Sequence, residues 1–412
     1  MIQRSFYDFA LFVLWILFFP KLMIDYIFIG KYRKSLFSRI HPQSLDTQGK
    51  PVIWLHAVSV GEVKALSTLI PHIVKSYPEA FIFVTTVTET GFEQAKRSIS
   101  EAYAIHYLPL DFSWIIRSFV RQIRPTLLVL VEGDYWYNLL REAKKLKSSI
   151  IVVNGKMSEK SLKRYLFLKS FSRSLFSHVD HFCLQGESYL ERFLKLGISP
   201  KKLTITGNLK FDLVSPKTEM LSDLRDTLKL SPDDWVLTIG STHEGEETLL
   251  LKELASLKTA FPKLRILLAP RHPERFARVK EIVARYPHVT LIDQIGVLAQ
   301  CYRLSNLAIV GGSFIPGIGG HDIFEPINMG IPVLFGPFMD KQVDLAHLIS
   351  DAEAGKMVSI EELLSTIEAC ISDPSQLEVM REKGGECAEK AKGSALRTWK
   401  QIESLKTLHL KS

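Results

Sequence analysis

The chain has 412 residues, 46% hydrophobic and 23% charged, which excludes a disordered protein and exceeds what one ordinary core accommodates. Its formal net charge of +8 favours anionic partners: acidic lipid headgroups, phosphorylated substrates or nucleic acid. Nucleic acid lacks support, because no zinc-ligand spacing, RNA-binding aromatic signature or dense basic helix is present. Cys183, Cys301, Cys370 and Cys387 are scattered with no CxxC pair, the pattern of buried thiols in a reducing cytoplasm.

The N-terminal forty residues differ in kind from the rest. Phe9 to Phe19 is an unbroken run of eleven apolar residues, followed by Pro20-Lys21 and a second apolar stretch to Ile29 that Asp25 interrupts. Eleven helical residues reach about 16 Å, roughly half a bilayer core. No small-residue cleavage site follows, which argues against a removed signal peptide. Lys31, Arg33, Lys34 and Arg39 suit an anionic cytoplasmic surface. We expect an uncleaved membrane anchor over residues 1–40, inserted in one leaflet or spanning at a tilt. A buried core helix is the competing reading.

From residue 52 strand-like runs alternate with helical patterns. Strands are expected at 52–56, 81–86, 127–132, 150–154, 179–184 and 203–206, then at 235–240, 264–270, 289–293, 306–311 and 332–335. Helical periodicity marks 63–76 and 188–196. Such alternation predicts parallel sheets with helices on both faces, here twice. The expected architecture is two facing, doubly wound, Rossmann-like α/β domains with a cleft between them, at 41–212 and 213–390. Residues 211–232, containing Pro216, lack a strand and should hold the linker. A basic, amphipathic C-terminal helix within 389–408 should cross back to the first domain, giving a terminal segment at 391–412.

Chemistry-bearing residues follow the strands. Glu62 ends His56-Ala57-Val58-Ser59-Val60-Gly61-Glu62 at a helix N-terminus, where it could be a cap stabilised by the dipole or a general base; Gly61 permits close approach. Glu132, in Glu132-Gly133-Asp134-Tyr135-Trp136-Tyr137-Asn138, is either half of a structural ion pair or a stabiliser of positive charge on a sugar ring. Asn154-Gly155-Lys156-Met157-Ser158 could line the same cleft. Lys210, in Gly207-Asn208-Leu209-Lys210-Phe211-Asp212, stands where both halves meet and could hold an anionic donor.

In the second half, Ser241 and Glu244 read as a capping box. Arg271 and His272 sit on a rigid loop suited to phosphate. Asp293 to Val297 offers backbone groups, among them Ile295, Gly296 and Val297, that could read a nucleobase edge. The glycine-rich stretch Gly311 to Pro337 should place backbone N–H groups, and a helix starting near His321, around a phosphate. Glu325, about one turn into that helix, could accept hydrogen bonds from ribose hydroxyls. No P-loop, HExxH or G-x-S-x-G elbow is present. No Asp-x-Asp stands at a strand end to hold a metal, which fits a nucleoside monophosphate leaving group.

Taken in order, the blocks His-Ala-x-Ser-x-Gly-Glu, Gly-Asn-Leu-Lys-Phe-Asp, Ser-Thr-His-Glu-Gly-Glu-Glu, Pro-Arg-His-Pro-Glu-Arg-Phe and Gly-Gly-His-x-x-x-Glu-Pro resemble the 3-deoxy-D-manno-octulosonic acid (Kdo) transferases over nearly the whole chain. The resemblance implies a glycosyltransferase of the GT-B fold, attached to the cytoplasmic face of the inner membrane. It implies CMP-Kdo as donor, a lipid A precursor as acceptor and no metal or other cofactor. The domain at 41–212 would bind acceptor and that at 213–390 the donor. Glu62 would be the general base, with Glu132 and Lys210 as transition-state stabilisers. Arg271, His272, the Ile295–Val297 loop and the segment Asp322, Ile323, Phe324 and Glu325 would contact CMP. Inversion at the anomeric carbon by direct displacement would follow. The chain departs from the family pattern at Gly133, Tyr137, Gly155, Lys156 and Asp322, and by one extra residue between Gly312 and His321. A nucleotide-sugar 2-epimerase-like enzyme and a non-catalytic nucleotide-binding membrane module are the alternatives of like architecture.

Overall fold

Runs such as Val-Ile-Trp-Leu-His at 52–56 are buried along their whole length, which requires cover on both faces and therefore a parallel sheet. The computed structural model, which describes residues 2–29, 33, 35–213 and 219–405, contains two such sheets. They belong to two units, Met1–Leu213 with Gly393–Ser412, and Val214–Lys392.

The first sheet comprises β1 (Val52–His56), β2 (Phe81–Thr86), β3 (Ala104–Tyr107), β4 (Pro125–Val131), β5 (Ser149–Gly155), β6 (His181–Leu184) and β7 (Leu203–Ile205). Its order is β3-β2-β1-β4-β5-β6-β7, with every neighbour parallel. Alternate residues feed two cores. Trp54, Phe83, Leu128 and Val152 pack on one face, and Leu55, Val84, Val129 and Ile151 on the other.

The second sheet comprises β8 (Trp235–Thr242), β9 (Leu264–Pro270), β10 (Val289–Leu291), β11 (Leu307–Val310), β12 (Val333–Phe335) and β13 (Gly355–Met357). Its order is β10-β9-β8-β11-β12-β13, again all parallel. Each sheet reverses its winding once, between β1 and β4 and between β8 and β11. At such a point the loops leaving the two strands diverge and open a crevice at their carboxyl ends.

Several sequence expectations need correction. The strands β3 and β13 were not foreseen; each closes an edge, and only one residue of each is fully buried, so neither carries an apolar run. The helical stretch 63–76 is two helices, Val60–Ser67 and Ile70–Ser76, the second opening on Pro71. Ser241 does not cap a helix: it lies in β8 at φ +59, and the next helix starts at Glu246 after Gly245. The helix expected near His321 begins at Phe324 and ends at Asn328. Residues 211–232 hold no strand among those described, and Pro216 lies outside the described residues.

The C-terminal region is one helix at Pro374–Ala391 and another at Ser394–Ser404, broken at Gly393, whose φ of +83 suits glycine. Residues 406–408 of the expected helix lie outside the described residues. The last helix packs on the first unit. Asp212 accepts hydrogen bonds from the backbone of Gly393 and Ala395, both at 2.6 Å. Thr398 bonds Thr206 at 2.8 Å, and buried Trp399 donates to Ser76 at 2.8 Å.

At the N-terminus a helix runs from Ile2 to Ile24 straight through Pro20 and continues as a π turn over Asp25–Ile29. Arg4–Phe28 has a mean hydropathy of 1.9, none of it buried, and is long and apolar enough to meet a membrane. A core-helix role is therefore excluded. Lys31 and Lys34 of the basic flank lie outside the described residues.

The terminal helix yields a stability prediction. Trp399→Ala removes a buried indole and orphans Ser76, and should cost about 3–5 kcal/mol. Urea unfolding followed by fluorescence of the first unit would measure it.

Candidate active site

In the first unit the winding reversal sets the loop after β1 beside the loop after β4. Glu62 lies in the first turn of the Val60–Ser67 helix. Its carboxylate accepts from Val58 N at 2.8 Å and from the Ser59 hydroxyl at 3.2 Å. One bond per oxygen leaves about half its acceptor capacity unused. Burial pushes its pKa up to about 7, helped by the negative charges of Glu132 and Asp134 and opposed by the Val58 and Ser59 bonds. The sequence left open a cap or a base; the geometry allows both.

Glu132 follows β4 in the left-handed region at φ +65, a strained conformation for a non-glycine residue. It is buried, 8% exposed, between two ammonium groups. Lys156 Nζ lies at 2.6 Å and Lys210 Nζ at 3.3 Å. Burial works to raise its pKa, but Lys210 and Lys156 outweigh that and hold it below the usual carboxylate range. In this state Glu132 is a structural ion-pair partner, and the trio carries a net positive charge. Asn154, also left-handed at φ +55, donates to Glu132 at 3.4 Å and accepts from Leu209 N at 2.9 Å. That bond fixes the turn carrying Lys210. A β-carbon on Gly61 would sit 3.6 Å from Lys210 Nζ, so the close approach that Gly61 permits is that of this lysine. Nearby, His56 Nε2 is 3.4 Å from Asp134, which also accepts from Trp136 Nε1 at 2.6 Å.

In the second unit the reversal brings together the loops after β8 and β11. Glu246 and Glu247 open the helix Glu246–Glu253, and both are fully buried. Glu246 accepts from the backbone of His243 at 2.9 Å, Gly312 at 2.7 Å and Phe314 at 3.0 Å. Glu247 takes a two-pronged contact from Arg275 at 2.6 and 3.0 Å, plus the Thr242 hydroxyl at 2.9 Å. The amides of Gly312 and Phe314 are thus consumed by a carboxylate, and Gly320 N donates to Gly312 O. Those two amides are therefore unavailable to a phosphate, and at the start of the short helix that follows, Asp322 accepts from Phe324 N at 3.1 Å.

Gly312, at φ +71, instead makes room for the His321 ring, which a β-carbon there would overlap at 2.8 Å. His321 Nε2 lies 2.7 Å from His243 Nε2, and the rings stack with centroids 5.0 Å apart. His272 packs edge-on against His243 at 5.2 Å. Burial, then the Arg271 charge, depress the His321 pKa to about 3, with His243, His272 and Lys341 adding to the effect. Burial, then His272, Arg275 and Arg271, lower that of His243, with Glu247 opposing. The two rings share one N–H···N bond amid cations, whose field attracts negative charge.

The sequence-predicted residues therefore fall into separate groups. Glu62, Glu132 and Lys210 gather at the first unit's reversal point. Exposed Arg271 and His272 join His243 and His321 at the second. Ile323 and Phe324 are buried, which leaves their backbone alone to meet a ligand. Glu325 is half-buried on the first turn after them. Ile295 and Gly296 are exposed, but they follow edge strand β10, two strands from the reversal, and Val297 packs into a small core cluster. Sequence reasoning gave Lys156 only a place in a cleft-lining segment and no site role to Glu246, Glu247, Arg275, His243 or His321. Paired glutamates directly after a strand were the missed signal.

Among the described residues no cluster of three His, Cys, Asp or Glu side chains could hold a metal. Residues 33–213 match the family described as 3-deoxy-D-manno-octulosonic-acid transferase (kdotransferase). The full chain is 34% identical to the 3-deoxy-D-manno-octulosonic acid transferase of Chlamydia pneumoniae, covering 98% of that protein. The chain is a Kdo transferase family member. It is accordingly a glycosyltransferase. The Haemophilus influenzae Kdo transferase is 30% identical over 84% of this chain and 85% of its own. A glycosyltransferase from Rickettsia africae matches 86% of the chain and 97% of its own at TM-score 0.64 and 15% identity, which shows the shared GT-B fold. The Neisseria meningitidis UDP-GlcNAc 2-epimerase has the same fold, at TM-score 0.63, 14% identity and 86% and 99% coverage.

The Kdo transferase's second site makes a prediction of its own. Glu246→Gln keeps the volume but cannot accept three backbone bonds as an anion does. It should cost about 2–3 kcal/mol and speed hydrogen exchange at Gly312 and Phe314, which exchange mass spectrometry would read.

Proposed function

We propose that the enzyme transfers Kdo from CMP-Kdo to a lipid A precursor (lipid IVA) by metal-independent, inverting displacement, at the cytoplasmic face of the inner membrane. The observation carrying this reading is Glu62, a half-buried carboxyl at a strand-to-helix turn with a pKa of about 7. A base poised near neutrality is what abstraction of an alcohol proton requires. Glu62 takes the proton of the acceptor hydroxyl, the freed oxygen bonds to the anomeric carbon, and the bond from that carbon to the phosphate oxygen breaks. CMP leaves with the electron pair.

Both reactants of the donor are anionic, since Kdo carries its own carboxylate. The net positive trio of Lys210, Lys156 and Glu132 is suited to that carboxylate or to the departing phosphate. Glu132 then acts by holding two ammonium groups in place, rather than by facing a cationic sugar directly. Arg271, His272, His243 and His321 supply the second unit's anion contacts. A monophosphate leaving group carries less charge than a diphosphate, so fixed cations suffice without a metal.

Transfer should rise with pH through about 7, as Glu62 deprotonates, and kcat/KM profiles would show this. Glu62→Gln should lower kcat by at least 10²–10⁴-fold, on the scale of general-base contributions. Because a raised carboxyl pKa costs stability that accumulates from the ordinary carboxylate range up to about 7 and is complete above it, the same variant should be as stable as the parent at pH 8 or more so. A residue that merely caps the helix would give the reverse: lost stability with transfer retained. EDTA should leave the rate unchanged, and strict metal dependence would overturn the monophosphate reading.

A further inference from the structure

We propose that the N-terminal apolar helix lies along the interface of one leaflet of an anionic bilayer, with both of its ends on the side of the first unit, and that the turn Leu166-Phe167-Leu168 is a second insertion point beside it. The inference rests on the membrane attachment proposed above and fixes its topology.

Both ends of the apolar segment are fastened to the same loop, the residues between β3 and the helix Ser113–Ile123. At the near end, the Tyr7 hydroxyl donates to Asp111 at 2.9 Å. Asp8 accepts from Ser113 N at 3.2 Å and from Asn138 Nδ2 at 2.8 Å. At the far end, Arg39 Nε donates to Leu108 O at 2.9 Å, and Leu110 N donates to Arg39 O at 3.0 Å. Between these clasps Phe9, Leu17 and Phe28 are 66%, 68% and 79% exposed.

A spanning helix cannot satisfy both clasps. Residues 9–28 would cross about 30 Å of hydrocarbon, leaving the chain on the opposite side at Ile29. Arg39 is ten residues later, and Leu36–Ile40 is helical. That interval would have to recross the core with backbone unpaired in lipid and with Lys31, Arg33 and Lys34 in tow. The far end also carries its own charge, since Arg33 donates to the carbonyls of Tyr26 and Ile27 at 2.7 and 2.5 Å.

The second contact sits at the root of the anchor. Phe171 stacks on Tyr7 with centroids 5.8 Å apart, and its helix, Lys169–Ser177, is joined to Glu159–Phe167 by the turn in question. There Phe167 is 88% exposed, flanked by Leu166 and Leu168. The two helices joined by the turn carry Lys160, Lys163, Arg164, Lys169 and Arg173 against a single acid, Glu159. An apolar tip in a basic collar is complementary to lipid tails beneath anionic headgroups.

The test uses the full-length chain bound to preformed, sealed phosphatidylglycerol-containing vesicles. The four native cysteines are buried, so a membrane-impermeant maleimide will report introduced ones. Ser5→Cys and Asp25→Cys should both label from outside, as should the control Glu403→Cys on the exposed face of the last helix. Labelling of Asp25→Cys after permeabilisation alone would overturn the interfacial placement. Phe167→Asp should weaken vesicle binding about tenfold or more while leaving transfer to a short-chain, detergent-dispersed acceptor unchanged; undiminished binding would remove the tip from the surface. Neither readout requires that Kdo be the sugar transferred, so failure here and failure of the proposed reaction are separable.

Discussion

A carboxylate withdrawn from water must find partners or surrender its charge, and this constraint organises both crevices of the Kdo transferase. Glu132 is held by two lysines, Glu246 by three backbone amides and Glu247 by an arginine and a threonine. In each case the partners come from loops leaving different strands. Glu132 ties the end of β4 to the turns after β5 and β7. Glu246 ties the helix after β8 to the glycine-rich loop after β11. The carboxyl edge of a parallel sheet has no ladder of its own to hold its loops, and buried acids supply that cohesion.

Glu62 is the contrasting case, buried enough to lose hydration yet with no cationic partner among its recorded contacts. The two acids of the first crevice consequently titrate in opposite senses. Glu132, with its pKa depressed, stabilises the fold above the ordinary carboxylate range, and that contribution disappears as pH falls through its folded value. Glu62, raised to about 7, favours the fold at low pH and opposes it as pH climbs through neutrality. The structure thus carries a deficit at the carboxyl to which the proposed reaction gives proton abstraction, and pairing that carboxyl with a lysine would relieve the deficit and lower its basicity.

The legibility of the sequence follows from the same physics. Central strands were readable because burial on both faces demands continuous apolar runs, as in Val129 to Val131 or Leu307 to Val310. Two edge strands, Ala104–Tyr107 and Gly355–Met357, carry no such demand and were missed, whereas the edges at 203–206 and 289–293 were read. Residues after strands could be flagged as chemical, and Glu62, Glu132 and Lys210 do assemble at one reversal point. What could not be read was which polar groups satisfy one another. The glycine-rich loop looked like an open phosphate cradle, because nothing local shows that Glu246, some sixty-six residues away along the chain, already occupies its amides. Likewise the Ser241–Glu244 spacing matched a cap, but Ser241 is held at the end of β8 by the sheet, and the pair of acids that follows serves the loop instead.

The same limit explains why the anchor's topology had to come from contacts rather than hydropathy. Apolar length measures how far a helix can reach, and Arg4–Phe28 reaches far enough to span. It says nothing about where the flanking chain is bound. Asp8 and Arg39 are polar residues at the two borders of the apolar stretch, and a sequence reading sees them merely as flanks favouring an interface. Once both are found on the loop at Leu108 to Ser113, the chain that a return crossing would drag through hydrocarbon becomes the deciding quantity: unpaired backbone and three basic residues. A helix attached at one end would let the unit swing, whereas two attachments beside an exposed aromatic tip would, on the proposed placement, hold one face of the first unit against the headgroups. On the proposed reaction, an acceptor whose acyl chains stay in the bilayer could then present its hydroxyl without leaving the membrane.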